Sequence, residues 1–427
     1  MNWPTTRLRY VADLNPGIRA DLLQAPDVEV SFLPMDAIGE DGTLDLSRNR
    51  AVAEVRNGYS YFEEGDVAFA KVTPCFENGK GALMRGLELG AGFGTTEITV
   101  LRPKVGTEPR FLNYVLRSEQ FRQNGVGAMT GAGGLKRVPD EFTRDFKTPW
   151  PTPAEQERIA NFLDVQTARI DALIAEKERL VGRLTDYRLL VIRHEVLGHS
   201  QVAGELHHTP QGEPWLEAIP SHWKMPKVKH LFRTTSGSTP STDKRELYYN
   251  GDIPWIRSLD LPNGLISVTD EHITDAALKD TACKLLPVGT VVLAMYGGDG
   301  TIGKSGLLGI EAACNQALCA ILPAVGVEPR FLHWHMVFHR PYWMVGADGT
   351  RKDPNISQDV VREARVPMPT LEEQVEIANR LDSVTRNLDE LCEHVQEHIA
   401  RLREYRSSLI SAAVTGQLDL STFKAAE

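Results

Sequence analysis

The sequence has few cysteines and no long hydrophobic run, and each shortage excludes a class of protein. No two cysteines have the CxxC spacing of a zinc site, and five cysteines in 427 residues do not suggest a disulfide framework. No apolar run is long enough to cross a bilayer, and the opening Met1-Asn2-Trp3-Pro4 lacks the pattern of a secretion signal. We therefore expect a cytoplasmic protein, without membrane contact, whose cysteines are free thiols: Cys75, Cys283, Cys314, Cys319 and Cys392.

Positive charge is also scarce. The formal net charge is −10, whereas a protein that neutralises DNA phosphates normally has a basic face. Half of this excess lies in residues 369–427, with a net charge of −5, while residues 1–150 and 205–368 have −2 each. Since the two larger segments are nearly neutral, each can present a basic surface to DNA while its opposite face is acidic.

Motifs for catalysis are missing, with one exception. The chain has no GxSxG, no HExxH, and no Asn-Pro-Pro or Asp-Pro-Pro followed by an aromatic residue of the kind that adenine methyltransferases use. The exception is Gly298-Asp-Gly-Thr-Ile-Gly303-Lys304-Ser305, which matches the phosphate-binding loop of ATPases. Such a loop must lead into a helix, yet Gly306-Leu-Leu-Gly309 follows, which is poor helix-forming sequence. We therefore expect a protein that is not an enzyme, with an ATPase as an alternative.

An internal duplication organises the chain. Residues 151–164 reappear as residues 369–382, and the shift of 218 positions continues without a gap to Gly198 and Gly416. Each copy begins with a threonine and, three residues later, a glutamate, which is the pattern of a helix capping box. These pairs are Thr152 with Glu155 and Thr370 with Glu373. The sequence therefore predicts two copies of one long helix.

Apolar residues recur in both helices at alternating spacings of four and three, which predicts a coiled-coil seam. Helices of roughly 40 residues span about 60 Å, so we expect them to act as spacers that pair with each other. The alternative is that each helix packs as an ordinary amphipathic helix on its own globular segment. The predicted seam residues are Ile159, Leu163, Ile170, Leu173 and Leu184 in the first helix and Ile377, Leu381, Leu388, Leu391 and Leu402 in the second.

The segments before the two helices are repeats as well, though more diverged. Glu108-Pro-Arg-Phe-Leu112 recurs as Glu328-Pro-Arg-Phe-Leu332 and opens a short helix, while residues 65–70 correspond to 289–294 as a buried strand. Short β-type runs and glycine-rich turns fill the remainder, so the fold class is α/β, with two mixed α/β domains and an approximate two-fold internal repeat. The expected divisions are a domain over 1–150, a long helix over 151–198, a polar linker over 199–221, a domain over 222–368, a long helix over 369–416 and a C-terminal tail over 417–427.

Several motifs make the chain resemble the specificity (S) subunits of type I restriction-modification systems. They are Phe32-Leu-Pro-Met-Asp-Ala-Ile-Gly39, Ala70-Lys-Val-Thr-Pro-Cys-Phe-Glu-Asn-Gly79-Lys80-Gly81, Ile219-Pro-Ser-His-Trp223, Ser236-Gly-Ser-Thr-Pro240, Gly251-Asp-Ile-Pro254-Trp255-Ile256 and the repeated helices. The resemblance implies two target recognition domains, separated by two antiparallel coiled-coil helices, which each recognise one half of a bipartite double-stranded DNA sequence.

The resemblance also implies partners. They are two methyltransferase (M) subunits, which bind S-adenosylmethionine, and two restriction-translocase (R) subunits, which use ATP and magnesium. No cofactor and no metal are expected on this chain itself. A coiled-coil adaptor that binds only proteins is the alternative from another functional class.

Glycine-rich loops supply the candidate DNA contacts. Gly79-Lys80 and Gly303-Lys304 follow the two corresponding strands and are predicted to be tight turns that present a cation to DNA phosphate. Arginine and lysine side chains also bind the edge of guanine. The candidates are Lys80, Lys136, Arg137, Lys304, Arg351, Lys352 and Tyr296. For the basic residues the alternative is a solvated loop cation, and for Tyr296 it is a place in the core.

Overall fold

The computed structural model of the chain describes residues 3–132, 134–201, 206–208, 215, 218–297, 300–344 and 355–420. The chain forms two compact units. Unit 1 comprises Met1–Arg179 and Val395–Glu427, and unit 2 comprises Leu180–His394. The boundary between the units falls inside each of the two long helices.

Unit 1 is a mixed α/β unit. Its strands are β1 (Thr5–Arg7), β2 (Ala12–Leu14), β3 (Glu29–Leu33), β4 (Asn49–Ala51), β5 (Ser60–Glu63), β6 (Val67–Ala70), β7 (Gly81–Leu83), β8 (Ala91–Gly94), β9 (Ile98–Pro103) and β10 (Lys147–Pro149). Its short helices are α1 (Leu8–Val11), α2 (Ala20–Gln24), α3 (Val52–Val55), α4 (Pro109–Arg117), α5 (Glu119–Ala128) and α6 (Asp140–Asp145). The strands form sheets of order β4-β3-β8-β5 and β2-β9-β6-β7 and the pair β1-β10; β3 and β8 run parallel and the other neighbours antiparallel.

Unit 2 has the same kind of architecture. Its strands are β11 (Leu206–His208), β12 (Ala218–Pro220), β13 (Thr234–Ser236), β14 (Tyr249–Ile256), β15 (Gly264–Ile266), β16 (His272–Ile273), β17 (Val291–Ala294), β18 (Ser305–Leu308), β19 (Ala313–Cys314) and β20 (Leu318–Ile321). Its short helices are α8 (Val228–Leu231), α9 (Arg245–Tyr248), α10 (Asp275–Asp280), α11 (Pro329–His339) and α12 (Gln358–Glu363). The strands form sheets of order β13-β20-β17-β18-β15 and β16-β14-β19 and the pair β11-β12.

The central strands β6 and β17 occupy corresponding places, as the repeat predicts. Both are apolar at every position and fully buried, because each lies between two neighbouring strands and is covered on both faces. In β6, Val67 and Phe69 face one hydrophobic cluster and Ala68 faces another. The predicted short helices also form, and α4 and α11 both begin at the proline of the repeated motif.

The two long helices are α7 (Pro153–Val196) and α13 (Leu371–Val414), with 44 residues each. At 1.5 Å per residue each is about 66 Å long. The predicted capping boxes form: the backbone N–H of Thr152 donates to Glu155 over 2.9 Å, and that of Thr370 donates to Glu373 over 2.8 Å. Both helices end before a glycine with a left-handed backbone, Gly198 or Gly416, with φ of 74° and 77°.

Stretches of the two long helices pair in antiparallel orientation within each unit. In unit 1, Asp171 binds Arg406 and Glu178 binds Arg403, so the number in α13 falls as the number in α7 rises. In unit 2 the pairs are Arg188 with Asp389 at 3.1 Å and Glu195 with Arg380 at 3.5 Å. The same stretches also pack on the globular part of their own unit, so the two alternatives considered for the helices both apply.

The seam of paired helices differs in part from the predicted one. The buried members of the predicted set are Ile159, Leu163, Ile170, Ile377 and Leu381, and the half-buried members are Leu184, Leu388 and Leu402. Leu173 and Leu391 are 47% and 45% exposed, which does not fit the predicted place at the centre of the seam.

The reason is a polar residue in each seam. Thr167 and Thr385 are buried four residues after Leu163 and Leu381, where a spacing of three was predicted. Their hydroxyls donate to the backbone carbonyls of those two leucines, over 2.7 and 2.6 Å, which allows them to be buried. The buried face therefore moves on by one position, to Ile174 rather than Leu173. A pattern built on apolar residues alone does not detect this.

The segment over 199–221, expected as a polar linker, contains ordered structure. Strands β11 and β12 pair within it, and Trp215 is only 2% exposed. Trp215 packs against Phe338 and His339 of α11, with ring centroids 5.9 and 5.0 Å apart. A tryptophan in a polar stretch was the available signal, because an indole ring gains much from burial.

The last part of the apparent phosphate-binding loop, over 301–304, is a β-turn in which the N–H of Lys304 donates to the carbonyl of Thr301 over 3.0 Å. Residues 298–299 lie outside the described residues, but the chain after Lys304 enters strand β18, where an ATPase would have a helix. Strand β18 pairs with β17 in antiparallel register, so the Gly303-Lys304 turn simply reverses the chain. The helix N-terminus that would hold phosphates is replaced by a strand here, which disfavours the ATPase alternative.

Candidate functional site

The Gly-Lys turns of the two units share two features, the backbone conformation of the glycine and a bond to the central strand. Gly79 and Gly303 both have a left-handed backbone, with φ of 76° and 73°, which favours glycine. The carbonyl of the following lysine accepts a hydrogen bond from the last residue of the central strand: Ala70 to Lys80 over 2.9 Å, and Ala294 to Lys304 over 2.8 Å. The Lys80 ammonium donates to the carbonyl of Met35 over 3.1 Å, so it is held on the protein.

The candidates Lys136 and Arg137 lie beside the same end of β6. The N–H of Val138 donates to the carbonyl of Lys71, which directly follows β6, over 2.8 Å. Lys136 is exposed, and its N–H and carbonyl bond to Thr73. The structure thus brings Lys80, Lys136 and Arg137 together around the C-terminal end of one strand, although Lys80 lies 56 positions before Lys136 in the sequence.

Arg137 forms an ion pair that sequence reasoning missed. Its Nε and Nη2 donate to the two carboxylate oxygens of Glu97, over 2.9 and 2.6 Å. The side chains of Arg137 and Glu97 remain 43% and 27% exposed. The hydrogen bonds from Arg137 hold the pKa of Glu97 below its ordinary value. The arginine is therefore held in one orientation while part of its guanidinium faces solvent.

In unit 2 the candidates fall on the corresponding strand end. Tyr296 follows β17 and is 38% exposed, so it is not the core residue of the alternative prediction. Trp255, by contrast, is buried. Arg351 and Lys352 lie outside the described residues. These positions do not test whether any of the seven candidate residues contacts DNA, so all seven contacts stay predictions.

A second set of residues joins each globular part to the start of a long helix, and we call these sets helix base 1 and helix base 2. Helix base 1 consists of Glu108, Arg110, Gln156, Asn161 and Asp164, and helix base 2 of Glu328, Arg330, Gln374, Asn379 and Asp382. In helix base 1, Arg110 donates to Glu108, Asn161 and Asp164 over 2.6 to 2.9 Å. In helix base 2, Arg330 donates to the three equivalent side chains over 2.7 to 2.9 Å.

The glutamine of each helix base binds backbone on two sides. The amide of Gln156 donates to the carbonyl of Pro151 over 2.9 Å and accepts from the N–H of Glu108 over 2.9 Å. Gln374 binds Pro369 and Glu328 in the same way, over 3.0 and 2.9 Å. The repeated Glu-Gln and Leu-Asp motifs of the sequence therefore fix how each globular part meets its helix.

Two further properties concern the described part of the chain. No cluster of three or more His, Cys, Asp or Glu side chains is placed there to hold a metal ion. No helix there combines the length and the apolar character that a membrane crossing requires. The five cysteines are free, as predicted.

Comparison with known proteins points to one family. Residues 220–401 match the model of the type I restriction modification DNA specificity domain. The resemblance predicted from the motifs is thereby confirmed.

Curated relatives carry the same description. The chain is 37% identical over 200 residues to the type I restriction enzyme EcoAI specificity subunit of Escherichia coli, covering 43% of this chain and 33% of that protein. It is 36% identical over 209 residues to the EcoEI specificity subunit of the same organism, covering 48% of this chain and 34% of that protein. The chain thus spans about a third of the length of these curated relatives.

Solved structures share the fold at low sequence identity. A chain from a study of complex assembly and conformational transition of the type I R-M system has a TM-score of 0.75 at 19% identity, with 97% of this chain and 98% of that chain covered. The HsdS subunit from Thermoanaerobacter tengcongensis has a TM-score of 0.55 at 18% identity, with 97% of each chain covered. The fold of this chain, with two mixed α/β parts and two long helices, is therefore a known one.

Proposed function

We propose that the chain is the DNA-recognition subunit of a type I restriction-modification complex and catalyses nothing itself. Each globular part recognises one half of a bipartite double-stranded DNA sequence, and the long helices set the spacing. The observation that supports this most directly is the repeat. Residues 220–401 match a DNA specificity domain, and unit 1, most of which lies outside that match, repeats helix base 2 bond for bond.

The proposal includes partners and a location. Two M subunits with S-adenosylmethionine and two R subunits with ATP and magnesium would assemble on the chain in the cytoplasm, and this chain would hold none of those cofactors. The near two-fold repeat suits two identical partners that act at two different half-sites. The globular divisions over 1–150 and 222–368, with helices over 151–198 and 369–416, belong to the same proposal.

The test uses the chain purified together with its M subunits. A library of duplex DNA with a randomised stretch of about 30 base pairs is bound at physiological salt, and the retained fraction is sequenced. We expect two short conserved blocks separated by a spacer of fixed length. The chain alone should bind weakly, because its globular segments are nearly neutral. If the retained DNA shows no sequence enriched over the starting library, the chain is a protein-binding adaptor and the proposal fails.

Modularity is tested by exchange of one domain. Residues 1–150 are replaced by the corresponding segment of a related subunit, and methylated sites are mapped across a genome. One conserved block should change and the other should stay. The matched control replaces residues 222–368 and should change only the other block. A change of both blocks in either exchange contradicts the proposal.

A further inference from the structure

The turn that leads into the strand beside the central strand is the same in both units. In unit 1, the N–H of Glu97 donates to the hydroxyl of Thr95 over 3.2 Å. In unit 2, the N–H of Ala317 donates to the amide oxygen of Asn315 over 3.2 Å. Both turns are closed by a backbone bond of 3.3 Å to the first residue of β9 or β20. The turns are thus structurally equivalent.

The surroundings of this turn are equivalent as well. The residue after the central strand, Lys71 or Met295, donates its N–H over 2.8 Å to the carbonyl of Glu97 or Ala317. The carbonyl of the same residue accepts from the segment that follows the glycine-rich loop, from Val138 over 2.8 Å in unit 1 and from Ile356 over 2.9 Å in unit 2. We call the two places sheet end 1 and sheet end 2.

The side chains at the two sheet ends differ in chemistry. Sheet end 1 carries the charged pair Glu97 and Arg137, part of which is exposed. Sheet end 2 carries a neutral pair, in which the hydroxyl of Thr239 donates to the amide oxygen of Gln316 over 2.5 Å. Gln316 is exposed. The two sheet ends therefore present an arginine from the segment before Val138 in unit 1 and a carboxamide from the turn before Ala317 in unit 2.

The free hydrogen-bonding groups of each pair fit a base. A guanidinium has five N–H donors, and Glu97 takes two of them from Nε and Nη2. This leaves the outer edge, with Nη1 and the second Nη2 donor, which matches the two acceptors of guanine in the major groove. Among the described residues, Gln316 keeps both amide donors and one lone pair, which matches the donor and acceptor of adenine.

We propose that sheet ends 1 and 2 are the base-recognition points of the two units, with Arg137 binding guanine in one half-site and Gln316 binding adenine in the other. Glu97 is a positioning residue that fixes the arginine, and Thr239 does the same for the glutamine. This inference rests on the proposed function, since it assumes that the chain recognises DNA. It adds Glu97, Gln316 and Thr239 to the residues that the sequence had indicated.

The test repeats the randomised-library selection on the complex with M subunits, using variants of one sheet end at a time. Arg137→Lys keeps the positive charge but not the paired donors. We expect it to lower the preference for guanine at one position about tenfold, with the rest of that block and the other block unchanged. Gln316→Ala should relax an adenine position in the other block by a similar factor.

The positioning role of Glu97 has its own readout. Glu97→Ala frees the arginine and should reduce the same guanine preference as Arg137→Lys, whereas Glu97→Gln, which keeps an acceptor, should restore part of it. A residue with a merely structural role would lower the amount of active complex without altering the base chosen at one position.

Two matched controls share the chemistry but lie elsewhere in their units. Arg50→Ala removes an exposed arginine that pairs with Glu54 at 3.6 Å, and Gln358→Ala removes a glutamine that binds Thr234 over 2.8 Å. Neither should alter any base preference. Thermal unfolding of each variant shows that it is folded, and Arg137→Lys and Glu97→Gln retain enough of the native contacts to serve if the alanine variants do not fold.

The outcomes separate this inference from the proposed function. If the wild-type complex selects a bipartite sequence and the variants select the same one, the sheet ends do not recognise bases and this inference is wrong, while the proposed function stands. If Arg137→Lys binds every sequence as the wild type does, Arg137 contacts phosphate only, which also overturns it. If the wild-type complex selects no sequence, the proposed function itself has failed.

Discussion

The helix bases and the sheet ends have diverged to different degrees in the two units. Helix bases 1 and 2 keep the same five residue types and the same bonds, to within about 0.2 Å in length. Sheet ends 1 and 2 keep only their backbone bonds, and the side-chain pairs they carry, which stand at different positions of the frame, are charged in unit 1 and neutral in unit 2. The comparison separates two demands: the attachment of the helix has kept its residues in both units, while the proposed recognition of two different half-sites would require them to differ.

Helices α4 and α11 extend this comparison to the cores of the units. Helix α11 buries three histidines, His333, His335 and His339, while unit 1 contains only one histidine, His398. Burial lowers the pKa of His333 and of His339 to about 4, and that of His335 well below its ordinary value. A ring nitrogen of each histidine has no hydrogen-bond partner among the described residues. The two units should therefore respond differently to acid.

The largest expected effect is a selective loss of stability of unit 2 at low pH. An unfolded histidine has a pKa of about 6.5, so the stabilisation from keeping these rings neutral is present above that pH and is lost as the pH falls towards 4. For His333 and His339 the full loss is about 3 kcal/mol each. Amide exchange protection at pH 7 and pH 5 should fall more in unit 2 than in unit 1.

A variant sharpens this test. The residue of α4 that corresponds to His335 is Val115, which is also buried. His335→Val should therefore reduce the pH dependence of amide exchange protection in unit 2 and leave that of unit 1 unchanged. Equal loss of protection in both units of the wild type would contradict the role of the histidines.

The next largest expected effect distinguishes the seam seen in the structure from the predicted seam. Leu163→Ala and Leu381→Ala remove fully buried side chains and should each lower the free energy of unfolding by about 3 kcal/mol. Leu173→Ala and Leu391→Ala remove half-exposed side chains and should cost under about 1 kcal/mol. Urea unfolding of the four variants distinguishes the two seams. Equal losses of unfolding free energy at all four positions would support the predicted seam instead.

A smaller effect tests whether the two helix bases are equivalent. Burial acts to lower the pKa of Arg110, but its hydrogen bonds to Glu108 and Asp164 outweigh this and hold the pKa above its ordinary value. Arg110→Ala and Arg330→Ala should each cost about 2 kcal/mol, because each removes the cation that pairs with two carboxylates. Among the described residues, only Asp164 and Asp382 keep a side-chain donor, from Tyr114 and Trp334. Chemical unfolding measures both, and a difference of more than about 1 kcal/mol between them would break the equivalence.

The smallest effect concerns the starts of the long helices. Thr152→Ala and Thr370→Ala remove the threonine of a capping box and should each lower stability by about 1 kcal/mol. Thermal unfolding gives the two values. Serine at either position, which retains the hydroxyl, is the control and should behave as the wild type.

Much of the fold could be predicted from the sequence because each motif occurs twice. The interpretation of one copy is therefore supported by the other. The caps at Thr152 and Thr370, the strands β6 and β17 and the helices that start at Pro109 and Pro329 all lie where the duplicated motifs indicate. Each of these features depends on residues close together in sequence, whose periodicity or capping chemistry identifies them directly.

The remainder depends on contacts between distant residues. The pairing of Arg137 with Glu97 spans 40 positions, and no local pattern indicates it. Thr167 and Thr385 enter the seam because their hydroxyls bind backbone within the helix, which a pattern of apolar residues does not represent. Trp215 was assigned to a linker because its neighbours are polar, although its own ring indicated burial.

The division of the chain into units has a consequence for its synthesis. Unit 2 is one continuous stretch, Leu180–His394, whereas unit 1 needs both the first 179 residues and the last ones. Its core includes Leu409 and Ile410 packed with residues such as Phe111. At about 5–20 residues per second, the ribosome needs on the order of tens of seconds to make the intervening chain. The first part of unit 1 is therefore made before unit 2 but completed after it, and its apolar surface stays uncovered until the last stretch of α13 has been made.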